Sequence, residues 1–173
     1  KRRAGKIPYY GASGIVDYVD GFLFDEDLLL ISEDGANLLA RTYPIAFSIS
    51  GKTWVNNHAH VLRFPDRISQ RLVEFYLNSI SLRPWVSGMA QPKLNQTKLN
   101  SIPIPFPPLA EQTRIVAILD EAFGAIAKAK ENAERNLANA KELFESYLNR
   151  VFTEKGEGWQ EKTLLELVTE DCP

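Results

Sequence analysis

Two histidines two positions apart are the residues best suited to begin a metal site. His58 and His60 lie in the strand-like stretch 54–62, and on a strand both would lie on one face. A zinc site needs further ligands, and the chain has no third histidine and one cysteine, Cys172, next to its C-terminal residue. The sequence favours structural histidines and predicts no metal site. A small metallohydrolase built on His58 and His60 remains the weakest alternative.

Other motifs suggest catalysis, but each lacks a required residue. Ser50-Gly-Lys-Thr53 is similar to the end of a phosphate-binding loop, yet the earlier glycine of that loop is Ala46 here. Phe106-Pro-Pro-Leu109 is similar to the Asn-Pro-Pro-aromatic motif of amino-methylating enzymes, with Phe106 in place of the asparagine. The acids between positions 17 and 27 are typical of a solvated hairpin edge. We therefore expect no catalytic centre.

A polar and basic tract is the most informative candidate site. No acid occurs between Phe75 and Ala110. Lysine supplies charge to phosphates, and asparagine or glutamine can bond adenine. A second basic surface would lie at the N-terminus, although a terminal arm and an ordinary polar loop would look similar. The candidate DNA-binding residues are Lys1, Arg2, Arg3, Lys6, Tyr10, Ser13, Arg83, Gln91, Lys93, Asn95, Gln96 and Lys98.

The formal net charge of −2 conceals a partition along the chain. Residues 11–35 carry seven acids and no base, whereas residues 36–105 carry eight bases and only Asp66 and Glu74 as acids. The chain of 173 residues is 45% hydrophobic, which is ordinary for a globular protein. No apolar run is long enough to cross a bilayer, and one cysteine cannot form an internal disulfide. These features predict an intracellular protein with no membrane partner.

The first 106 residues predict a compact α+β domain. Apolar and β-branched segments alternate with glycine, proline and asparagine, and the predicted strands are 7–10, 27–32, 45–49 and 59–64. One helix is expected after Pro65, with Asp66 accepting from the first-turn amides. The apolar face of that helix would consist of Ile68, Leu72, Phe75, Tyr76 and Ile80.

A proline-rich segment, residues 102–108, ends this domain and precedes one long helix of coiled-coil type. Apolar residues recur with a period of 3.6 from Ile115 to Val151, in a stretch whose single glycine is Gly124. Such a helix would be about 66 Å long. Because a small domain cannot cover the whole stripe, we expect it to pair with another helix. The expected pairing residues are Ile115, Leu119, Ile126, Leu137, Phe144 and Tyr147.

Five short stretches occur in an order that resembles the specificity subunits of type I restriction-modification enzymes. They are residues 7–15, 29–36, 57–61, 88–94 and 102–116, the last containing Pro107-Pro-Leu-Ala-Glu-Gln112. The resemblance implies a target-recognition domain at 1–106 that lacks its usual opening segment. It further implies a spacer helix at 107–153 and the opening segment of a second recognition domain at 154–173.

The resemblance implies a non-catalytic, sequence-specific subunit that reads half of a bipartite site in double-stranded DNA. The implied partners are methyltransferase subunits and a restriction endonuclease and translocase subunit in a bacterial or archaeal cytoplasm. Those partners would bind S-adenosylmethionine and ATP, and this chain would bind no cofactor. The fragment would form a homodimer through its long helix. The remaining alternative is a coiled-coil protein-interaction module.

Overall fold

The computed structural model describes residues 4–88 and 90–168. The chain divides into two compact units, Lys1–Glu121 and Ala122–Pro173. In chain order the described elements are β1 (Ala4–Gly11), β2 (Gly14–Val19), β3 (Phe24–Asp25), β4 (Leu28–Ser32), α1 (Asn37–Ala40), β5 (Ala46–Ile49), β6 (Lys52–Val55), β7 (Ala59–Leu62), α2 (Arg67–Ser79), a 3-10 turn (Arg83–Trp85), α3 (Gln96–Asn100), α4 (Leu109–Thr153) and α5 (Leu164–Leu167). The predicted α+β class, a strand-rich unit followed by one long helix, is confirmed.

Two small sheets form the first unit. One has the strand order β2-β1-β6-β3, and the other has the order β5-β4-β7. All pairs are antiparallel except β1 with β6, which run parallel with Tyr9 opposite Trp54. The four strands predicted from sequence are present as β1, β4, β5 and β7, whereas the two edge strands β2 and β3 of the first sheet were not predicted.

Strand β4 divides the core into two clusters. Its residues are all buried because β5 and β7 flank its edges and other elements cover both of its faces. Leu29 and Ile31 belong to the cluster that includes Val73 and Leu77 of α2. Leu28 and Leu30 belong to the second cluster, with Ile49 and Val55. The uninterrupted apolar run Leu28-Leu-Leu-Ile31 is typical of a strand that is covered on both faces.

Helix α2 begins as the sequence predicts, but its buried face is rotated. The Asp66 side chain accepts a hydrogen bond from Ser69 N at 2.8 Å, which is the expected N-cap. Leu72 is buried as predicted, whereas Val73 and Leu77 complete the buried apolar set. The other residues of the predicted face, Ile68, Phe75, Tyr76 and Ile80, are only half-buried.

The buried face of α2 differs from the predicted face because two polar side chains on it have hydrogen-bond partners in the core. Gln70 Nε2 donates to Leu28 O at 3.2 Å and lies 2.9 Å from Ser48 Oγ. Ser69 lies within 3.1 Å of Gln112 of α4. Polar side chains can be buried when they are hydrogen-bonded. The positions of the apolar residues alone therefore do not identify the buried face of α2.

Helix α4 begins at Leu109, and its first three turns pack on the first unit through buried Gln112 and Val116. Its 45 residues correspond to about 68 Å. Among the described residues, no helix is long and apolar enough to span a membrane.

The second unit contains the remainder of α4 and the short helix α5. The Phe152 and Trp159 rings meet edge to face with centroids 6.3 Å apart. Thr163 N donates to Glu166 Oε2 at 2.7 Å at the start of α5. All described residues after Asn132 are exposed, including Leu164 and Leu165, with exposures of 77% and 78%.

Candidate nucleic-acid interface

Four loops from different elements meet at one edge of the first unit. The turn between β1 and β2 reaches the end of β4, where Ser32 Oγ donates to Ala12 O. The turn after β6 is joined to β1 by a 2.9 Å bond from Asn56 N to Tyr10 O. The same turn is joined to the residue after β4 by a 2.9 Å bond from Glu33 N to His58 O. A fourth loop, the segment 87–94, lies beside these three. We call the surface formed by the four loops, residues 11–14, 32–35, 56–58 and 87–94, the loop edge.

The described residues of the segment 87–94, which exclude Met89, form a loop that is closed at its two ends and that we call the closed loop. Ser87 and Lys93 exchange backbone hydrogen bonds of 2.9 and 2.8 Å. Gly88 has a φ of +80°, and a Cβ at this position would lie 2.5 Å from Gln91 O. Only glycine fits this close approach at a left-handed φ, so the glycine fixes the shape of the loop. The closed loop leaves the Gln91 side chain exposed.

The closed loop is anchored to the end of β4 and to β7. Leu94 N donates to Glu33 O at 2.7 Å, and Gly35 N donates to Pro92 O at 3.0 Å. Leu94 itself is fully buried. His60 of β7 places Nε2 2.7 Å from Leu94 O, and because a carbonyl only accepts, Nε2 carries the proton. Hydrogen bonds therefore fix the closed loop to the end of β4 and to β7.

Acids and bases that are separated in sequence form ion pairs in space. Lys93 Nζ lies 3.1 Å from Glu33 Oε1, and His58 Nδ1 lies 2.8 Å from Asp34 Oδ2. At the opposite end of the sheets, Arg63 pairs with Glu26 and Arg67 pairs with Asp27. The bond from Arg63 holds the pKa of the Glu26 carboxyl below its ordinary value. Acids of the stretch 11–35 therefore pair with three of the eight bases in residues 36–105, namely Arg63, Arg67 and Lys93.

Five of the ten lysines and arginines described in the first unit have an acidic partner. Within residues 4–88 and 90–121, the cations with no acidic partner and no bond to a backbone carbonyl are Lys6, Lys52, Arg83 and Lys98. Arg83 and Lys98 are exposed and flank the closed loop in sequence. Lys6 lies nearer the other end of β1, and Lys52 lies over the Phe22 ring at 4.9 Å.

The candidate DNA-binding residues occupy several environments. Ser13 and Gln91 are exposed at the loop edge. Tyr10 packs against Phe47, with ring centroids 6.1 Å apart, and burial raises the pKa of its hydroxyl. Asn95 caps α3 by accepting from Lys98 N at 2.9 Å, and Gln96 Nε2 lies 3.4 Å from Asn100 Oδ1. Lys1, Arg2 and Arg3 lie outside the described residues.

The two histidines do not share a strand face, because His58 lies in the turn before β7 and His60 lies within that strand. Both have partners inside the first unit, Asp34 for His58 and the Leu94 carbonyl for His60. Over residues 4–88 and 90–168, no group of three His, Cys, Asp or Glu side chains is arranged to hold a metal ion.

The expected helix-pairing residues fall into two environments. Ile115 and Leu119 are half-buried in the first unit. In the second unit Ile126, Leu137, Phe144 and Tyr147 are exposed by 57% to 63%. Leu143 and Phe152, which were not among the expected pairing residues, are also exposed on α4.

Sequence reasoning also missed the residues that hold the loop edge and the helix in place. Glu33 and Asp34 were placed in the acidic stretch 11–35 and in the family-like stretch 29–36, but no role was predicted for them, although the turn residue Gly35 beside them marks a loop. Gln112 is 3% exposed, and its Nε2 donates to Pro107 O at 2.8 Å. The sequence signal that could have identified Gln112 was its position as the last residue of the motif Pro107-Pro-Leu-Ala-Glu-Gln112.

The chain has clear relatives among known proteins. The sequence model of the family described as type I restriction modification DNA specificity domain matches residues 1–135. A putative type I restriction enzyme specificity subunit of Haemophilus influenzae is 44% identical over 119 residues, which cover 69% of this chain and 30% of that protein. The specificity subunit of the type I restriction enzyme EcoDI of Escherichia coli is 36% identical over 61 residues, covering 35% of this chain and 14% of that subunit.

Two solved structures share the fold. One, from a type I restriction-modification system studied for its complex assembly and conformational transition, superposes with a TM-score of 0.64 at 20% identity. It covers 88% of this chain and 40% of that one. The other, the specificity subunit of such a system from M. genitalium, has a TM-score of 0.57 at 16% identity and covers 87% of this chain and 39% of that one. The chain thus spans well under half the length of these relatives.

Proposed function

Because the chain belongs to the type I restriction-modification DNA specificity domain family, we propose that its first unit reads one half of a bipartite site in double-stranded DNA. The observation that carries the proposal is the loop edge, where four polar loops are fixed on two sheets. Loops on a rigid scaffold are well suited to recognition, because their side chains are exposed while their backbones are held. In this proposal the chain is a non-catalytic recognition component.

Phosphate contacts and base contacts would come from different residues. Within the described residues Arg83 and Lys98 have no acidic partner, and they are exposed and flank the closed loop in sequence, so we expect them to neutralise phosphates. Lys93 would contribute less than its position in sequence suggests, because Glu33 already holds its ammonium group. Exposed polar side chains of the loop edge, such as Ser13 and Gln91, would reach base edges.

The long helix would set the distance between this recognition domain and a second one. We assign residues 1–106 to the first recognition domain, 107–153 to the spacer and 154–173 to the opening of the next recognition domain. The exposed apolar positions of α4 support pairing with a second long helix, because an exposed stripe of this length is typical of an interface. In a complete subunit the partner would be a second spacer; for this chain alone it would be another copy in a homodimer.

Chemistry would be supplied by other subunits. Methyltransferase subunits with S-adenosylmethionine would flip and methylate a target base, and an endonuclease and translocase subunit with ATP would cleave. This chain would bind neither cofactor and would act in the cytoplasm, where the DNA of a bacterial or archaeal cell lies.

The test is the salt dependence of duplex binding by the assembled complex that contains this chain. Replacing both Arg83 and Lys98 with alanine should weaken binding and reduce the slope of log K against log salt. Each lost phosphate contact should make that negative slope shallower by about 0.9, so the loss of two contacts should make it shallower by roughly 1.8.

Lys130→Ala is the matched control, because Lys130 is an exposed lysine of the long helix that pairs with Glu134. It should leave both affinity and slope unchanged. An Arg83→Ala and Lys98→Ala double variant with unaltered affinity and slope would show that phosphates bind elsewhere. An intact complex that does not bind duplex DNA would overturn the proposed function.

A further inference from the structure

A histidine at the loop edge is held through one ring nitrogen and has the other unused. The His58 side chain is 52% exposed, and its Nδ1 lies 2.8 Å from Asp34 Oδ2. Because a carboxylate accepts, Nδ1 carries a proton in this bond. Within the described residues, Nε2 of His58 has no hydrogen-bond partner. A carboxylate bonded to one nitrogen fixes the orientation of the ring, so Nε2 is presented in a defined direction.

The backbones of both residues are also fixed. His58 N donates to Asn56 Oδ1 at 2.9 Å, and His58 O accepts from Glu33 N at 2.9 Å. Asp34 lies next to Glu33 and forms an isolated bridge with Lys93 of the closed loop. The ring and its carboxylate are therefore preorganised, which lowers the entropy that a bound partner must offset.

The charges around His58 favour a polar, uncharged partner over a phosphate. Glu33 and Lys93 compensate each other, and Asp34 lies directly beside the ring. An adjacent carboxylate repels a phosphate but does not repel the edge of a base pair. Base edges in the major groove present donors and acceptors that a single ring nitrogen can distinguish.

We propose that His58 reads a base edge of duplex DNA through Nε2, and that Asp34 is the positioning residue for its ring. The inference rests on the proposed function, which places DNA against the loop edge. A neutral ring with the proton on Nδ1 accepts at Nε2 from N4 of cytosine or N6 of adenine, whereas a charged ring donates to O6 or N7 of guanine. In either form, losing the ring should relax selection at one base pair.

The test is the methylated motif produced in cells whose only DNA methyltransferase is the assembled enzyme containing this chain. His58→Ala should relax the preference at one base pair of one half-site by roughly five- to tenfold, the low end of what base contacts supply. Asp34→Asn should relax the same base pair to a smaller extent. Ser50→Ala, in the exposed turn at the opposite end of the sheets, is the control and should leave the motif unchanged.

The outcomes separate this inference from the proposed function. The base-reading role is wrong if the enzyme that carries His58→Ala methylates the same motif with the same selectivity. It is also wrong if that enzyme loses methylation equally at all sites. In both cases the proposed recognition of DNA by the chain is not contradicted. If the intact enzyme shows no sequence preference, the proposed function itself fails. Should His58→Ala reduce the yield of folded enzyme, His58→Gln is measured instead: altered selectivity at one base pair supports the role, and unaltered selectivity overturns it.

Discussion

Gln112 is the residue that ties the long helix to the first unit. It is almost fully buried, and both ends of its amide have partners: Pro107 O accepts from Nε2, and Ser69 Oγ lies 3.1 Å from Oε1. About two turns further along α4, Asp120 forms an ion pair with Arg71 of α2. The first turns of α4, which belong to the first unit, are therefore held by a few polar contacts as well as by buried Val116.

Replacing Gln112 with leucine should destabilise the first unit. The half-buried Pro107 carbonyl would lose its donor, and losing one such hydrogen bond typically costs about 0.5–1.5 kcal/mol in the free energy of unfolding. The measurement is denaturant unfolding of the parent and of Gln112→Leu. The control is Gln96→Leu, the same change at an exposed position, which should alter the stability little. Equal stabilities of the two variants would argue against a stabilising role for the hydrogen bonds of Gln112.

The candidate site illustrates what residue types reveal and what they do not. The sequence identified Ser13 and Gln91, which are exposed at the loop edge. It could not show that Glu33 holds Lys93 or that Asn95 caps a helix, since both depend on contacts made by the folded chain. A run of basic residues in sequence therefore overestimates the basic surface when an acidic strand end packs beside it.

At the scale of elements, the start of α2 depends on one carboxylate. Asp66 accepts from Ser69 N and from Ser69 Oγ, each at 2.8 Å. The backbone bond from Ser69 holds the pKa of Asp66 below its ordinary value. A lowered pKa in the folded state means that the charged carboxylate stabilises the fold above its unfolded-state pKa. That contribution is lost as the pH falls through the folded-state value.

Asp66→Ala should therefore lower the thermal midpoint at pH 7, and its difference from the parent should shrink as the pH falls below about 4. The measurement is thermal unfolding of both proteins over a series of pH values. Asp25→Ala, which removes an exposed acid on β3 that caps no helix, is the control and should show no comparable difference at pH 7. A difference for Asp66→Ala that persists unchanged in acid would contradict the role of the charged cap.

The elements that sequence patterns predicted best are those with strong local signals. The apolar run of β4, the cap of α2 and the 3.6-residue repeat of α4 are each encoded by neighbouring residues. The edge strand β2 was missed because Ile15, Val16 and Tyr18 are exposed and lie among charged residues. The rotation of α2 was missed because Gln70 is buried through a bond to Leu28 O, a partner 42 residues away.

Helix pairing can be tested within the second unit. An antiparallel pair that places Leu119 opposite Phe144 also places Ile126 opposite Leu137, and both of these residues are exposed. In a Cys172→Ser background, a mixture of Ile126→Cys and Leu137→Cys proteins should cross-link between copies, with each variant alone linking poorly. Efficient linkage of Ile126→Cys to its own copy would indicate a parallel pair. A protein that remains monomeric at high concentration would refute pairing between copies.

At the scale of the whole molecule, we propose recognition for the first unit and spacing for the long helix. The two functions depend on different residues: the loop edge is formed by polar side chains on two sheets, whereas the spacer presents exposed apolar positions along one helix. Two modules can read separated half-sites only if their spacing is fixed. The identity of one half-site and the distance between the half-sites should therefore vary independently.

The most direct test of this central claim is to exchange residues 1–106 for the corresponding residues of another member of the family, with the helix unchanged. The measurement is the methylated motif of cells that carry the assembled enzyme. We expect one half of the bipartite motif to change, while the other half and the number of base pairs between them stay the same. A motif that is unchanged, or that changes in both halves or in its spacing, would contradict the account.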